Sequence, residues 1–257
     1  MTWNLLTETA THAPPWSVRG PAVAARIIEL APAVLGTQEG SRSMLDDLVS
    51  RLPDGYRWVG EGRRGRGQDE HGALVYDGRA LTLLDLRHRW LSATPELPGS
   101  AAPDADLPRM LTAARFHHEE SGAVLTVIDT HLDHLGPRAR VDGAAIVAAE
   151  VAGPTVVLGD FNDPAETSEA YAVLTGSGLV DALAPRDRSS RRLRTFTGFD
   201  PELGGEGEQI DWLLVTPDLT VADAWVVSDP AGPGAPSDHR GVVADLVVEP
   251  QTGRNQR

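Results

Sequence analysis

A chain of 257 residues, 41% hydrophobic and 23% charged, has an ordinary globular balance and a length that suits one large domain or two small ones. Asp and Glu outnumber Lys and Arg by 37 to 23, a formal charge of -14, which removes any general attraction to a phosphate backbone and disfavours tight nonspecific nucleic-acid binding. The absence of cysteine excludes disulfides and thiolate metal sites, and no run approaches the roughly 18 consecutive apolar residues of a membrane-crossing helix.

The opening segment MTWNLLTETATH has no basic flank and only a short apolar run, so no signal peptide is expected and the expected location is cytoplasmic. TWNLL (2–6) reads as a short strand. VRGPAVAARIIELAP carries apolar residues at helical spacing and stops near Pro32, and AVLGTQE (33–39) is a short apolar run ending in polar groups. SRSMLDDLVSRLP opens on a Ser at a capping position and reads as a helix. GALVYD and ALTLLDL look like paired strands around Asp77-Gly78, a hairpin signal. AVLTVIDTHLDH (123–134) is a strand with a polar end, and PRARVDGAAIVAAEVAG is a helix with Pro137 at its start and Gly153 just past its end. PTVVLGD is a buried strand, after which Asp163-Pro164 fits a helix cap followed by the first helical position. EQIDWLLVT and RGVVADLVVE are late strands. Alternating strands and helices with some hairpin-like neighbours predict an α/β protein with mixed sheets and helices outside. The Gly- and Pro-rich loops at 62–67 and 229–237 are expected to be mobile, and no domain boundary is visible. A single domain over 1–249, a disordered tail over 250–257 and a monomer are expected.

The segment VVLGDFNDP (156–164) runs from apolar residues into Asp160 and Asn162, groups that are costly to bury uncompensated. Other apolar strands end the same way. AVLGTQE ends in Gln38 and Glu39, and TVIDTH in Asp129, Thr130 and His131. Asp238 and His239 precede the last strand, Asp211 follows Ile210, and Asn4 sits in the first strand. Singly, each is explained by turn chemistry. Together they make a set of groups that bind cations or move protons, and oxygen donors with His but no Cys fit Mg²⁺ or Mn²⁺.

GTQE, DTHLDH, LGDFN, QIDWLLV and SDHRGVVADL, in this order and spacing, resemble the endonuclease/exonuclease/phosphatase superfamily from Asn4 to about Leu246, and WLSATPELPGS and TFTGFD resemble its small stand-alone bacterial members. The resemblance implies a four-layer α/β sandwich, two mixed sheets packed face to face with helices outside and the site at one end. It also implies roles. Glu39 matches the main metal-ligand Glu, with Asn4 close by, and Asp238 a further metal or site carboxylate. Asp160 and Asn162 match the pair that orients the attacking water and the phosphate. His239 matches the catalytic His, Asp211 the carboxylate holding its ring, and His131 a second His on a phosphate oxygen. In deoxyribonuclease-like members an acid at the position of Glu70 pairs with that second His; here it would raise the pKa of His131, unless Glu70 is merely a solvated loop residue. Either Asp160 or His239 can take the proton of the water.

The expected activity is divalent-metal-dependent hydrolysis of a phosphodiester or phosphomonoester, with Mg²⁺ or Mn²⁺ and a small phosphate-ester substrate. The alternative is a true DNA or RNA nuclease of the same fold. A non-catalytic binding module is disfavoured, since Glu39, Asp160, Asn162, Asp211 and His239 are all present. Leu6 stands where some nucleases carry another acid, and Ala113 where an aromatic is usual. His117 and His118 are expected to be exposed and His88 to lie on a strand surface; His134 fits either a loop role or substrate contact. Trp16 and Arg19 are expected to anchor a loop near the site, and GRRGRG to be a solvated loop or a phosphate-attracting rim.

Overall fold

The computed structural model describes residues 1–11, 13–184 and 193–249. The expected tail at 250–257 lies outside the described residues. Among those residues no helix is long and apolar enough to cross a membrane.

Two six-stranded mixed sheets pack face to face. The first contains β1 (Thr2–Asn4), β2 (Val34–Gly40), β3 (Tyr56–Gly62), β4 (His71–Asp77), β11 (Thr220–Val226) and β12 (Val242–Val247), in the order β11-β12-β1-β2-β4-β3. The second contains β5 (Leu81–Trp90), β6 (Met110–His118), β7 (Val124–His131), β8 (Thr155–Asp160), β9 (Val180–Asp181) and β10 (Asp211–Val215), in the order β5-β6-β7-β8-β10-β9. Helices α1 (Trp16–Leu30) and α2 (Arg42–Arg51) cover the first sheet, with Val23, Ile27, Leu45 and Leu48 packed on Trp3, Leu35 and Val75. Helices α3 (Pro137–Ala149) and α4 (Glu169–Gly176) cover the second, with Ala144, Val147 and Leu174 on Ile128, Val157 and Leu214. Between the sheets lies a third apolar layer containing Leu74, Phe116, Val127, Leu158, Leu213 and Val242. This is the expected four-layer sandwich.

The caps follow local chemistry. Ser41 accepts a hydrogen bond from the Met44 amide at the start of α2, and Pro137 begins α3. The expected cap at Asp163 is corrected: α4 starts five residues after Pro164, and Ser168 caps it by accepting from Tyr171 N. Asp163 instead pairs with Arg140 at 3.2 Å.

The expected hairpin around Asp77-Gly78 is also corrected. β4 pairs with β2 and β3, whereas β5 pairs with β6 in the opposite sheet. The turn carries the chain from one sheet to the other. The true hairpin is β3–β4, closed by the loop containing GRRGRG, with Gly62 paired to His71. Strands β3, β9 and β11 were not foreseen in the sequence pattern.

The sheets approach closely beneath the site. A side chain at Gly36 of β2 would place its Cβ 2.0 Å from Leu158 Cδ1 and 2.5 Å from Asp129 Oδ1. Only hydrogen fits there.

Candidate active site

Strand alternation explains how core strands deliver polar groups to one place. On β8, Val156 and Leu158 face the other sheet, and Asp160 is next in that row. On β10, Leu213 and Val215 face inward, and Asp211 belongs to the same row. On β7, Leu125 and Val127 lead to Asp129 and His131. Trp3 of β1 packs towards the helices, leaving Asn4 on the inner face. Register then collects the ends: β7 and β8 run parallel with His131 beside Asp160, and antiparallel β10 sets Asp211 opposite Asp160. Gly159 permits the close contact of β8 and β7, since a Cβ there would lie 1.9 Å from Thr130 O.

Glu39 needs a different device. Alternation from Leu35 would send it to the helix face. The register shifts between Thr37 and Gly40, and Glu39 takes φ 62° in the left-handed region. Its carboxylate accepts from Asn4 Nδ2 at 2.9 Å and from Thr7 N at 3.0 Å.

His239 lies ahead of β12, its carbonyl accepting from Trp3 Nε1 at 3.0 Å. Its Nδ1 is 2.9 Å from Asp211 Oδ2, and its Nε2 is 3.7 Å from Asp160 Oδ2. Asp160 accepts from Asn4 Nδ2 and from the Asn162 amide, both at 2.9 Å. Asn162 Nδ2 donates to His131 Nε2 and to Leu132 O, both at 3.0 Å. Ser237 Oγ donates to Asn4 O at 2.6 Å, tying the approach to β12 to β1. These groups surround a cleft of about 310 Å³, lined by Glu39, Asp160, Asn162, Asp238, His131 and His239 on the polar side and by Phe196 and Ile210 at its rim.

Burial alone would lower the pKa of His239, but the charges of Asp211 and Asp160 and the bond to Asp211 outweigh it, and the ring is held well above its ordinary value. Burial pushes Asp160 up to about 7, the charge of Asp211 adding to it while His239 and the Asn4 hydrogen bond oppose it. Burial raises Asp238 as well, with Glu39 adding to it and His239 opposing.

Most of the sequence-predicted residues converge, with two corrections. The first concerns Glu70 and His131. Glu70 Oε2 pairs with Arg63 Nη1 at 2.7 Å, and no Glu70–His131 hydrogen bond occurs among the described residues. His131 is held well below its ordinary value, first by burial and then by Arg109 and Arg63, the opposite of the expected rise. Its Nε2 accepts from Asn162, which suits a neutral ring. The second concerns Asn4, expected beside the metal. Its Oδ1 accepts from Leu6 N at 3.0 Å and its Nδ2 bridges Glu39 and Asp160, so it orients two carboxylates and does not itself line the cleft.

The sequence reading missed Arg109, Leu107, Phe196 and Ile210, all of which line the cleft, whereas Arg63 of the GRRGRG loop, read as solvated or as a rim, lines it as well. His134 is exposed and lines it too. His117 and His118 are half-buried at a strand end, and His88 is half-buried with Nδ1 3.1 Å from Thr112 Oγ1. Arg19 anchors loops as expected, whereas Trp16 joins the start of α1 to α2 instead. Trp16 donates to Asp47, and buried Arg19 donates to the carbonyls of Leu5, Leu6, Pro14 and Pro236.

The site fits a hard divalent cation. Ligand atoms of Glu39, His131 and Asp160 lie within 4.8 Å of one another, as do those of Asp160, Asp211 and His239. Asp160 and Asp238 are buried near other acids, which makes their charged forms costly without a compensating cation. Carboxylate oxygens dominate the donor set and there is no thiol, the chemistry of Mg²⁺ or Mn²⁺ sites.

A model of the Endonuclease/Exonuclease/phosphatase family matches residues 1–239. Three solved bacterial structures are similar along nearly their whole length. A family protein from Bacteroides thetaiotaomicron is 28% identical with TM-score 0.86, over 95% of this chain and 92% of that one. A mannosyl-6-phosphatase from Bacteroides thetaiotaomicron VPI-5482 is 28% identical with TM-score 0.85, over 96% and 98%. A family protein from Bacteroides vulgatus is 28% identical with TM-score 0.86, over 96% and 97%. Comparison with curated protein sequences gives no match. With the family's strand-end residues gathered in one cleft of a four-layer sandwich, this chain belongs to the Endonuclease/Exonuclease/phosphatase family.

Proposed function

We propose that the protein is a divalent-metal-dependent hydrolase of phosphate esters that takes a small substrate. The observation that carries this reading is the line Asp211–His239–Asp160 at the edge of a cleft that Glu39 and Asp238 also enter. Glu39, with Asp238 near it, would hold Mg²⁺ or Mn²⁺. The ion would neutralise phosphate charge and polarise a phosphoryl oxygen.

The protein groups then divide the remaining work. His239 is held protonated by Asp211 and so is poorly suited to remove a proton from water. It supplies positive charge and a donor to a phosphoryl oxygen. Asp160, with its carboxyl pushed up to about 7, is the better base for the attacking water. Asn162 fixes the neutral ring of His131, and both face the cleft where the phosphate would sit.

A small substrate is supported by the cleft volume and the charge of -14. The arginine-rich loop adds little pull on a polynucleotide, because Arg63 and Arg64 are tied to Asp69 and Glu70. The mannosyl-6-phosphatase among the similar structures has, by its name, an activity of this class.

The test is a screen with Mg²⁺ or Mn²⁺ across sugar phosphates, nucleotides, generic phosphodiesters and nucleic acids. Turnover of a small ester, lost on chelation and in His239→Ala, is the expected result. Absence of turnover on every ester would overturn the reading. Submicromolar binding of duplex DNA at physiological salt would overturn the small-substrate part and restore the nuclease.

A further inference from the structure

His134 lines the cleft from the loop after β7, and Asp106 stands beside the lining residue Leu107 in the loop before β6. One buried carboxylate locks the two loops together. Asp133 accepts the amides of Asp106 and Leu107 at Oδ2, at 3.1 and 3.3 Å, and those of Leu135 and Gly136 at Oδ1, at 3.0 and 2.7 Å. Arg140 Nη1 adds a bond to the Asp133 carbonyl at 3.1 Å. Arg109 Nη2 then donates to His134 Nδ1 at 3.2 Å. A guanidinium only donates, so Nδ1 carries the lone pair and the ring proton sits on Nε2. His134 is thus a fixed N–H donor at the mouth of the cleft.

Its Nε2 lies 3.8 Å from Asp106 Oδ2, too far for a hydrogen bond. The two side chains are 42% and 49% exposed, so as an ion pair they contribute little to stability. One oxygen about 2.8 Å from each atom would close the gap. That oxygen has to accept from Nε2–H and donate to the carboxylate, which a hydroxyl does. Asp106 repels a carboxylate or a second phosphate. An ammonium has no acceptor for Nε2–H, and an apolar group answers neither partner. Water can take the same place, so a hydroxyl gains here when the rest of its molecule is already anchored in the cleft.

We propose that His134 and Asp106 together bind a hydroxyl on the alcohol part of the substrate, so that the cleft prefers esters of sugars or other polyols over esters of plain alcohols. This rests on the phosphoesterase reading above and narrows it to one class of alcohol. His131, where the phosphate would sit, and His134 line the same cleft, so one small ester reaches both. His134 and Asp106 are specificity-determining residues. Asp133 and Arg109 position them.

The test compares a hexose 6-phosphate with cyclohexylmethyl phosphate, which keeps the ring and the phosphate and lacks the hydroxyls. Turnover is read as kcat/KM on the full chain with Mg²⁺ or Mn²⁺. Affinity is read by calorimetry with the same ion on the full chain carrying His239→Ala. The hexose ester should be preferred in both by about 5- to 30-fold, the worth of a hydrogen-bonded pair at an open site. His134→Phe and Asp106→Ala should each remove most of that preference. The double variant should do no more than either alone, because one hydroxyl needs both partners. Equal affinity for the two esters, or a preference that survives either substitution, overturns the pair and leaves the phosphoesterase intact. A preference in binding with no turnover of either ester fails the phosphoesterase reading and keeps the pair. If neither ester binds, both fail.

Discussion

Asp160 and Asp211 stand directly opposite each other on β8 and β10, and His239 spans them, 2.9 Å from Asp211 at Nδ1 and 3.7 Å from Asp160 at Nε2. Two carboxylates this close, both buried, would repel strongly if nothing cationic lay between them. The imidazole is that group in the protein itself. Its position makes the protonation of one residue depend on the other two.

Asp211→Asn keeps the shape of this arrangement and removes the charge behind the ring. The imidazolium loses its main support, so the pKa of His239 should fall. Turnover should drop by about 10²- to 10⁴-fold with little change in KM. Steady-state kinetics and the histidine resonances in an NMR pH titration measure both; an unchanged His239 titration would refute the coupling.

Glu39 and His239 should separate metal binding from proton handling. Glu39→Gln replaces a charged ligand with an amide that a hard cation holds poorly. Divalent affinity should fall at least about tenfold, and activity should recover in part at excess metal. His239→Ala should abolish turnover and leave metal affinity nearly intact. Isothermal titration that shows equal loss in both variants would contradict this division.

His131 should couple to Asn162 and not to Glu70. The contact between Asn162 and His131 is 3.0 Å, whereas Glu70 is engaged by Arg63 at 2.7 Å. In double-mutant cycles on turnover, Asn162→Ala with His131→Ala should be non-additive. Glu70→Gln with His131→Ala should be additive within about 0.5 kcal/mol. The reverse pattern would mean that the Glu70 carboxylate moves to His131 during catalysis.

Asp129 links the site to stability. It is fully buried between the sheets; Gln38 Nε2 donates to its Oδ1 at 2.6 Å, and its Oδ2 has no partner. Burial raises its pKa well above the ordinary carboxyl range, against smaller opposing effects from Gln38 and the Ala73 backbone. The folded state therefore keeps the proton more tightly than the unfolded state. Below the unfolded pKa of about 4 both states are protonated and the group is neutral in effect. As pH climbs from there through the folded pKa, the unfolded chain ionises first and stability is lost. Relative to wild type, Asp129→Asn should become progressively more stable in urea unfolding as pH rises above the unfolded carboxyl pKa of about 4. A stability difference that does not vary with pH would sink the argument.

The residues of the site could be read from the sequence because each carries a local mark. Asp160, Asp211 and His131 belong to apolar strands of period two, and a polar residue in the inward row at a strand end is visible without knowing the partner strand. What they meet is not local. Asp77-Gly78 is the same turn signal whether the next strand pairs beside the last or crosses to the other sheet, and it is the packing of Leu74 and Leu81 between the sheets that accompanies the crossing. Asn4 reads as a ligand, and the fold instead sets its amide between Leu6 N, Glu39 and Asp160, behind the cleft wall. Glu70 reads as a partner for histidine until the β3–β4 hairpin brings Arg63 to it, and a fixed guanidinium is a stronger partner for a carboxylate than a neutral ring. Arg109, at the head of RMLTAARF, carries no local mark of where it will point, and only the packing of β6 brings it to the cleft beside His131. Sequence determined which chemical groups reach the end of the sandwich, because alternation and strand termination are short-range. Tertiary structure decided which of them hold one another and which are left with charge to spend on a substrate, because each hydrogen-bonding group has few places and competing neighbours arrive from distant parts of the chain.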